Sequence, residues 1–211
     1  FFIRLSGCPM RCSWCDTPYS SWNPEGTHFS IEELILQARK FPQAKHIVVT
    51  GGEPFSFTQL PELINSFHEL GYIITIETAG INYFETKADL ISLSPKLSNS
   101  DPRLDQVKSQ RILDRHVKLR SDYGSMLKFI DSPADIQWKF VVKDQLDLLE
   151  IEQMLLALKY NTKEQVYLMP YTENPAQFLV NLKRISQLCL DTGYSLSHRL
   201  QVELWKDERG T

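Results

Sequence analysis

The chain has 211 residues, 42% hydrophobic and 23% charged, with a formal net charge of -3. Length and composition allow one sizeable domain with a real core, or at most two small ones, and the well-mixed charges form no basic block of the kind that grips nucleic acid. No apolar run approaches the roughly 20 residues needed to span a bilayer.

The chain opens on "FFIRLS" (1–6), a mostly apolar run that reads as a buried strand. It begins at Phe1 rather than Met, so we expect the natural start to lie upstream. A cysteine-rich loop and a polar, turn-rich stretch follow. Residues 30–41 read as a helix: Ser30 and Glu33 have capping-box spacing, and Ile31, Leu34, Ile35 and Ala38 share one face. "HIVVTGG" (46–52) is a strand ending in glycines. Residues 58–71 form a helix with Leu60, Leu63, Ile64, Phe67 and Leu70 on one side and Gly71 as its stop. Strands follow at 72–80 and 89–96. From Leu97 to about Arg120 the chain is polar and charged, and reads as a long loop with a helical piece.

The last third repeats the alternation. We expect a strand at 137–143, a helix at 144–159 and a strand at 165–170. A helix then spans 174–193, with Pro175 in its first turn and Gly193 at its end, and a closing strand spans 195–205. Strands and helices in alternation argue for a parallel α/β sheet of six or seven strands, with the site at the strands' carboxyl ends. No internal repeat or linker interrupts residues 1–211, so we expect a single domain.

The chemistry concentrates in "GCPMRCSWCDT" (7–17), where Cys8, Cys12 and Cys15 fall within eight residues and the fourth cysteine, Cys189, lies far away. With no export-type leader, we expect a reducing, cytoplasmic compartment in which thiols serve metal or redox chemistry. A structural zinc site needs four protein ligands. His28 could be the fourth, but the spacing matches no common finger or ribbon. A C-x-x-C redox pair would use Cys12 and Cys15 and leave Cys8 unexplained. An iron–sulfur cluster ordinarily takes four thiolates; three would leave one iron open to an external ligand. Cys189, beside Leu188 and Leu190 in a helix, is most simply a buried apolar residue.

The spacing C-x3-C-x2-C resembles the signature of the radical S-adenosylmethionine (SAM) superfamily, with Trp14 at its usual aromatic position. "TGGEP" (50–54) resembles that superfamily's GGEP motif, whose glycines admit a ligand close to backbone. The resemblance implies a 4Fe–4S cluster on Cys8, Cys12 and Cys15, whose open iron is chelated by the amine and carboxylate of SAM. One-electron cleavage of the sulfonium then yields a 5′-deoxyadenosyl radical. "FIRLSGC", "CSWCDT", "TGGEP", "ETAG", "SPK" and "ELWKDERGT" together are similar to the 7-carboxy-7-deazaguanine synthase family.

That resemblance implies a compact, partial (β/α) barrel with reduced helical content, a homodimer and a Mg²⁺ requirement. It implies conversion of 6-carboxy-5,6,7,8-tetrahydropterin to 7-carboxy-7-deazaguanine with loss of ammonia. An external one-electron donor is needed, and neither nucleic acid nor membrane. Carried over by motif, SAM would meet Trp14, Cys15, Asp16 and Gly52, then Ser94, Pro95 and Lys96, then Met169, Pro170, Tyr171 and Thr172. Thr17 would bind Mg²⁺, an ion that prefers oxygen ligands; by itself it reads equally well as a capping residue. The substrate would meet Arg4, Thr50 and Gln201, with planar Arg4 suited to its carboxylate.

Two departures stand out. The family's "Q-G-E-G" stretch is absent and is expected before Phe1. Gln201 stands where many members carry histidine. His198, three residues away in the expected strand, would point to the opposite face. Rival readings are an activase that installs a glycyl radical on another protein, and a zinc- or cluster-binding module without chemistry.

Overall fold

A computed structural model describes residues 1–172 and 177–205, without the side chains of residues 201 and 202. The helix start expected at residues 174–176, with Pro175, and the terminal "KDERGT" lie outside the described residues. The chain forms two compact units: 1–93 with 100–136, and 94–99 with 137 onward.

In the first unit, β1 (Phe2–Leu5), β2 (His46–Gly51), β3 (Ile73–Thr78) and β4 (Leu90–Leu93) are parallel neighbours in chain order. Register explains which side chains are covered. Ile3 pairs with Val49, Val49 with Ile76 and Ile76 with Ile91. All four are buried. Side chains one position on point to the other face of the pleat, which sets Arg4 beside Thr50 and Glu77 beside Ser92.

Helix α1 (Pro18–Ser21) follows the cysteine loop. Helix α2 (Ile31–Arg39) starts with the expected capping box: Glu33 N donates to Ser30 Oγ at 3.2 Å, and Ser30 N to the Glu33 carboxylate at 2.7 Å. Helix α3 (Leu60–Glu69) buries Leu60, Leu63, Ile64 and Phe67 and stops at Gly71, whose φ of +80° suits glycine. No described helix separates β3 from β4, in keeping with the reduced helical content expected. Instead Phe55, Phe129 and Tyr83 close an aromatic core there; Phe129 meets the other two edge-on at 4.7 and 5.0 Å.

Two corrections concern helices. The segment from Leu97 to about Arg120, expected as a loop with one helical piece, holds two helices, α4 (Leu104–Val107) and α5 (Gln110–Arg120), and a further helix, α6 (Tyr123–Ile130), follows it. Of the residues of α5, only His116 is fully buried, so the apolar periodicity that marks a helix is faint.

The second unit contains β5 (Asp135–Val142), which starts two residues earlier in the first, then α7 (Gln145–Ala157), β6 (Val166–Pro170), α8 (Phe178–Thr192) and β7 (Ser195–Leu196). β5, β6 and β7 are parallel neighbours. Gly193 ends α8 with φ +80°, and Cys189 is buried as expected. The second correction is the closing strand. Only Ser195–Leu196 pairs, and Leu200–Trp205 is a helix, α9. Leu200 and Leu204 satisfy a period of two and an i, i+4 helical spacing alike. The face argument separating His198 from Gln201 falls with the strand; His198 Nε2 lies 3.1 Å from the Glu203 carboxylate.

Candidate active site around the cysteine loop

The loop after β1 is fixed by backbone before any side chain acts. Gly7 N donates to Ser20 O at 2.8 Å, Gly52 N to Leu5 O at 2.8 Å, and Glu53 N to Gly7 O at 2.9 Å. The strand ladder thus continues past the ends of β1 and β2 and clamps the start of the loop against "TGGEP". Gly51 and Gly52 are required by this approach. A Cβ on Gly51 would stand 2.1 Å from Leu5 O, and one on Gly52 would stand 2.1 Å from Gly7 O. The absent Cβ atoms of both glycines make room for the chain's own backbone.

Glu53, fully buried, ties the second loop to the third. Its carboxylate accepts from Thr78 Oγ1 at 2.6 Å, Ala79 N at 2.8 Å and Phe55 N at 3.1 Å. The sequence reading gave Glu53 no role, although an acid inside an otherwise apolar strand exit needs donors.

The three cysteines face one small apolar nest. Cys12 is buried with Met10 and Ile81, and Cys8 and Cys15 pack against that group beside Ala79 and Leu119. No disulfide joins them. Among the described residues, no three His, Cys, Asp or Glu side chains close on a single metal ion, whereas a cubane cluster spreads its thiolates over separate irons. Ser21 Oγ lies 3.1 Å from Cys15 Sγ and 3.5 Å from Thr17 O; a thiolate can only accept, so against a ligating sulfur the hydroxyl is the donor. Three thiols gathered on one apolar group, Cys12 buried and Cys8 and Cys15 half-buried, with a polar donor at the edge, fit a cluster of this kind.

Two residues that sequence reasoning missed brace the loop from within. Arg11 folds back, its guanidinium donating to Cys8 O at 2.6 Å and Met10 O at 2.7 Å. Arg11 N donates to Nδ1 of His116, a residue of α5 that is 1% exposed. His116 Nε2 lies 3.1 Å from Ser100 Oγ, and Ser100 O in turn accepts from Ser13 N at 2.9 Å. With Nδ1 accepting, the ring proton belongs on Nε2. A lone histidine in a charged segment gave no signal of this.

The remaining expected residues lie as follows. Trp14 is half-buried and Asp16 exposed within the loop. Thr17 occupies the N-cap position of α1, yet its side chain makes no capping bond; its Oγ1 lies 3.8 Å from Cys15 Sγ. Arg4 is exposed, and its guanidinium has no ion pair or hydrogen bond to the described residues. Thr50 Oγ1 donates to Glu77 Oε2 at 2.8 Å, which makes Glu77 a further polar residue of this face.

In the second unit, Lys96 Nζ donates to Ser94 O at 2.7 Å and lies 3.0 Å from Ser94 Oγ; Pro95 between them is buried. Met169 and Pro170 end β6. Tyr171 N donates to Val142 O at 2.9 Å, and the Tyr171 ring carries Lys143 Nζ at 4.1 Å. Thr172 Oγ1 is shielded from solvent with no hydrogen-bond partner among the described residues, the kind of orphan a ligand satisfies. The Gln201 side chain lies outside the described residues.

A three-thiol loop locked to a Gly-Gly-Glu-Pro strand exit on a parallel α/β fold defines a radical SAM protein, and residues 2–100 match the family model of the Radical SAM superfamily. The chain is 38% identical over its whole length to the 7-carboxy-7-deazaguanine synthase of Rhodopirellula baltica, covering 80% of that protein. It is 34% identical over 98% of its length to that of Halobacterium salinarum, covering 82%. The chain belongs to the 7-carboxy-7-deazaguanine synthase family. Among solved structures it resembles QueE from Escherichia coli, with a TM-score of 0.63, 22% identity and coverage of 94% of this chain and 84% of that one. It also resembles Streptococcus suis SuiB bound to S-adenosylmethionine, with a TM-score of 0.54 and 14% identity over 100% of this chain and 54% of that one. These likenesses show the fold, the α/β partial-barrel type expected from the sequence.

Proposed function

We propose that this chain is a radical SAM carbon–nitrogen lyase. It converts 6-carboxy-5,6,7,8-tetrahydropterin to 7-carboxy-7-deazaguanine with release of ammonia, on the way to 7-deazapurines such as queuosine. The observation that carries the proposal is the gathering of Cys8, Cys12 and Cys15 on one buried nest, with no disulfide, clamped to "TGGEP". When bound, a 4Fe–4S cluster supplies the electron that cleaves SAM reductively. The chain's own residues bind, orient and shield.

Cys8, Cys12 and Cys15 hold the cluster, and Ser21 donates to the Cys15 sulfur. Trp14, Cys15, Asp16 and Gly52 are assigned to SAM, as are Ser94, Pro95, Lys96, Met169, Pro170, Tyr171 and Thr172. The guanidinium of Arg4, unpaired among the described residues, receives the substrate carboxylate in a bidentate pair. Thr50, held by Glu77, offers its oxygen to the substrate, and Gln201 offers an amide that can donate or accept. Thr17, whose hydroxyl is not spent on capping, is assigned to Mg²⁺. The proposal treats the chain as one catalytic core, cytoplasmic and homodimeric. No described helix is long and apolar enough to cross a membrane.

The test is anaerobic turnover of the reconstituted protein with reductant, SAM, Mg²⁺ and the carboxytetrahydropterin. Formation of the deazaguanine with SAM regenerated supports the proposal. SAM consumed stoichiometrically without that product would point to an activase, and a colourless zinc protein to a binding module.

A further inference from the structure

Helix α5 has a second property besides its bracing of the cysteine loop. Arg111, Arg115 and Lys118 are all exposed, and their spacing of i, i+4 and i+7 sets them on one stripe of the helix. None of the three side chains has an ion pair or hydrogen bond with another described residue, and the nearby Asp114, which keeps its charge, accepts from Gln110 Nε2 at 2.8 Å. In sequence these cations are interleaved with an acid and apolar residues, so no basic block is visible. Winding the helix assembles the stripe on a chain whose net charge is -3. Arg115 also lines a cavity of about 500 Å³ whose wall includes Cys8, Arg11, Ser6 and Leu119. His116, on the same helix, bonds the loop between Cys8 and Cys12.

We infer that the Arg111–Arg115–Lys118 stripe is the docking surface for the external electron donor, a protein carrier with an acidic face around a one-electron flavin or iron–sulfur centre. This rests on the radical SAM reading above, which requires such a donor. A carrier steered by opposite charge onto the stripe comes to rest over the wall that contains a cluster thiolate. Long-range attraction raises the encounter rate, and a small exposed basic face suits a partner that must leave after each electron.

The experiment uses the reconstituted holoprotein and the R111E/K118E variant, with R111Q/K118Q as a milder second pair. Cluster reduction is followed anaerobically with reduced flavodoxin, with reduced plant-type ferredoxin, and with dithionite. With the carriers at low ionic strength, the charge-reversed variant is expected to be about ten-fold slower, the neutral pair intermediate, and the differences to shrink as salt screens the charges. Dithionite-driven SAM cleavage is expected to be the same in all three proteins, which also shows that the variants are folded. Carrier-driven rates unchanged by either pair, or wild-type rates with both carriers insensitive to salt, would overturn the inference. So would loss of transfer-RNA binding in R111E/K118E with unchanged carrier rates, which would assign the stripe to nucleic acid. If dithionite itself drives no SAM cleavage in the wild type, the radical SAM reading has failed instead.

Discussion

The Glu53 carboxylate accepts the backbone N–H of Ala79 at 2.8 Å, joining the exit of β2 to the exit of β3 at a residue that packs against the cysteine nest. The same group holds Thr78 Oγ1 and Phe55 N. In Glu53→Ala, buried donors lose their acceptor, at ~1–3 kcal/mol each. We expect a loss of about 3 kcal/mol in unfolding free energy of the apo-protein by denaturant titration, and reduced iron loading on reconstitution. An E53A protein with wild-type stability would show that the carboxylate does not hold these loops.

The glycines offer a contrast in mechanism. At Gly52 a Cβ would meet Gly7 O at 2.1 Å, whereas at Gly71 it would meet nothing within 4 Å and only φ, at +80°, opposes it. Gly71→Ala is expected to cost ~1 kcal/mol. Gly52→Ala must separate the two loops and is expected to yield no folded, cluster-binding protein. Thermal unfolding of the two variants side by side measures the difference.

A hydroxyl on a ligating sulfur stabilises the reduced, more negative cluster. Ser21 Oγ stands 3.1 Å from Cys15 Sγ, so Ser21→Ala is expected to lower the reduction potential. A bond of about 1 kcal/mol corresponds to roughly 40 mV for one electron. Anaerobic redox titration followed by electron paramagnetic resonance reads the shift; an unchanged or raised potential would remove Ser21 from the cluster's surroundings.

Arg4 tests the substrate side alone. An exposed guanidinium with no partner in the described protein can be removed without orphaning a buried group. Arg4→Ala is expected to weaken substrate binding by the ~1.5–3 kcal/mol of a charge-assisted pair, a factor of ten or more, and to leave SAM affinity unchanged. Isothermal titration with each ligand separates the two, and equal losses would assign Arg4 elsewhere.

What could be read from the sequence was whatever left a regular spacing. Ile31, Leu34, Ile35 and Ala38 gave α2, and the cysteine spacing gave the loop. Two things were hidden. One was contact between elements distant in sequence: the missing Cβ of Gly52 makes room for Gly7 O and Ser20 O, and His116 reaches Arg11 across 105 residues. The other was structure whose pattern is ambiguous or faint. Leu200 and Leu204 fit strand and helix alike, so α9 reads as a strand, and α5 fully buries only His116, so it reads as no more than a helical piece of a loop.

The central claim is that Cys8, Cys12 and Cys15 hold a four-iron cluster with one iron open to SAM, and electron paramagnetic resonance of the reduced, reconstituted protein tests it most directly. The account predicts a 4Fe–4S signal that changes shape when SAM is added and disappears in Cys12→Ala. A signal indifferent to SAM, or a protein that retains zinc and gives no iron signal at all, would contradict it.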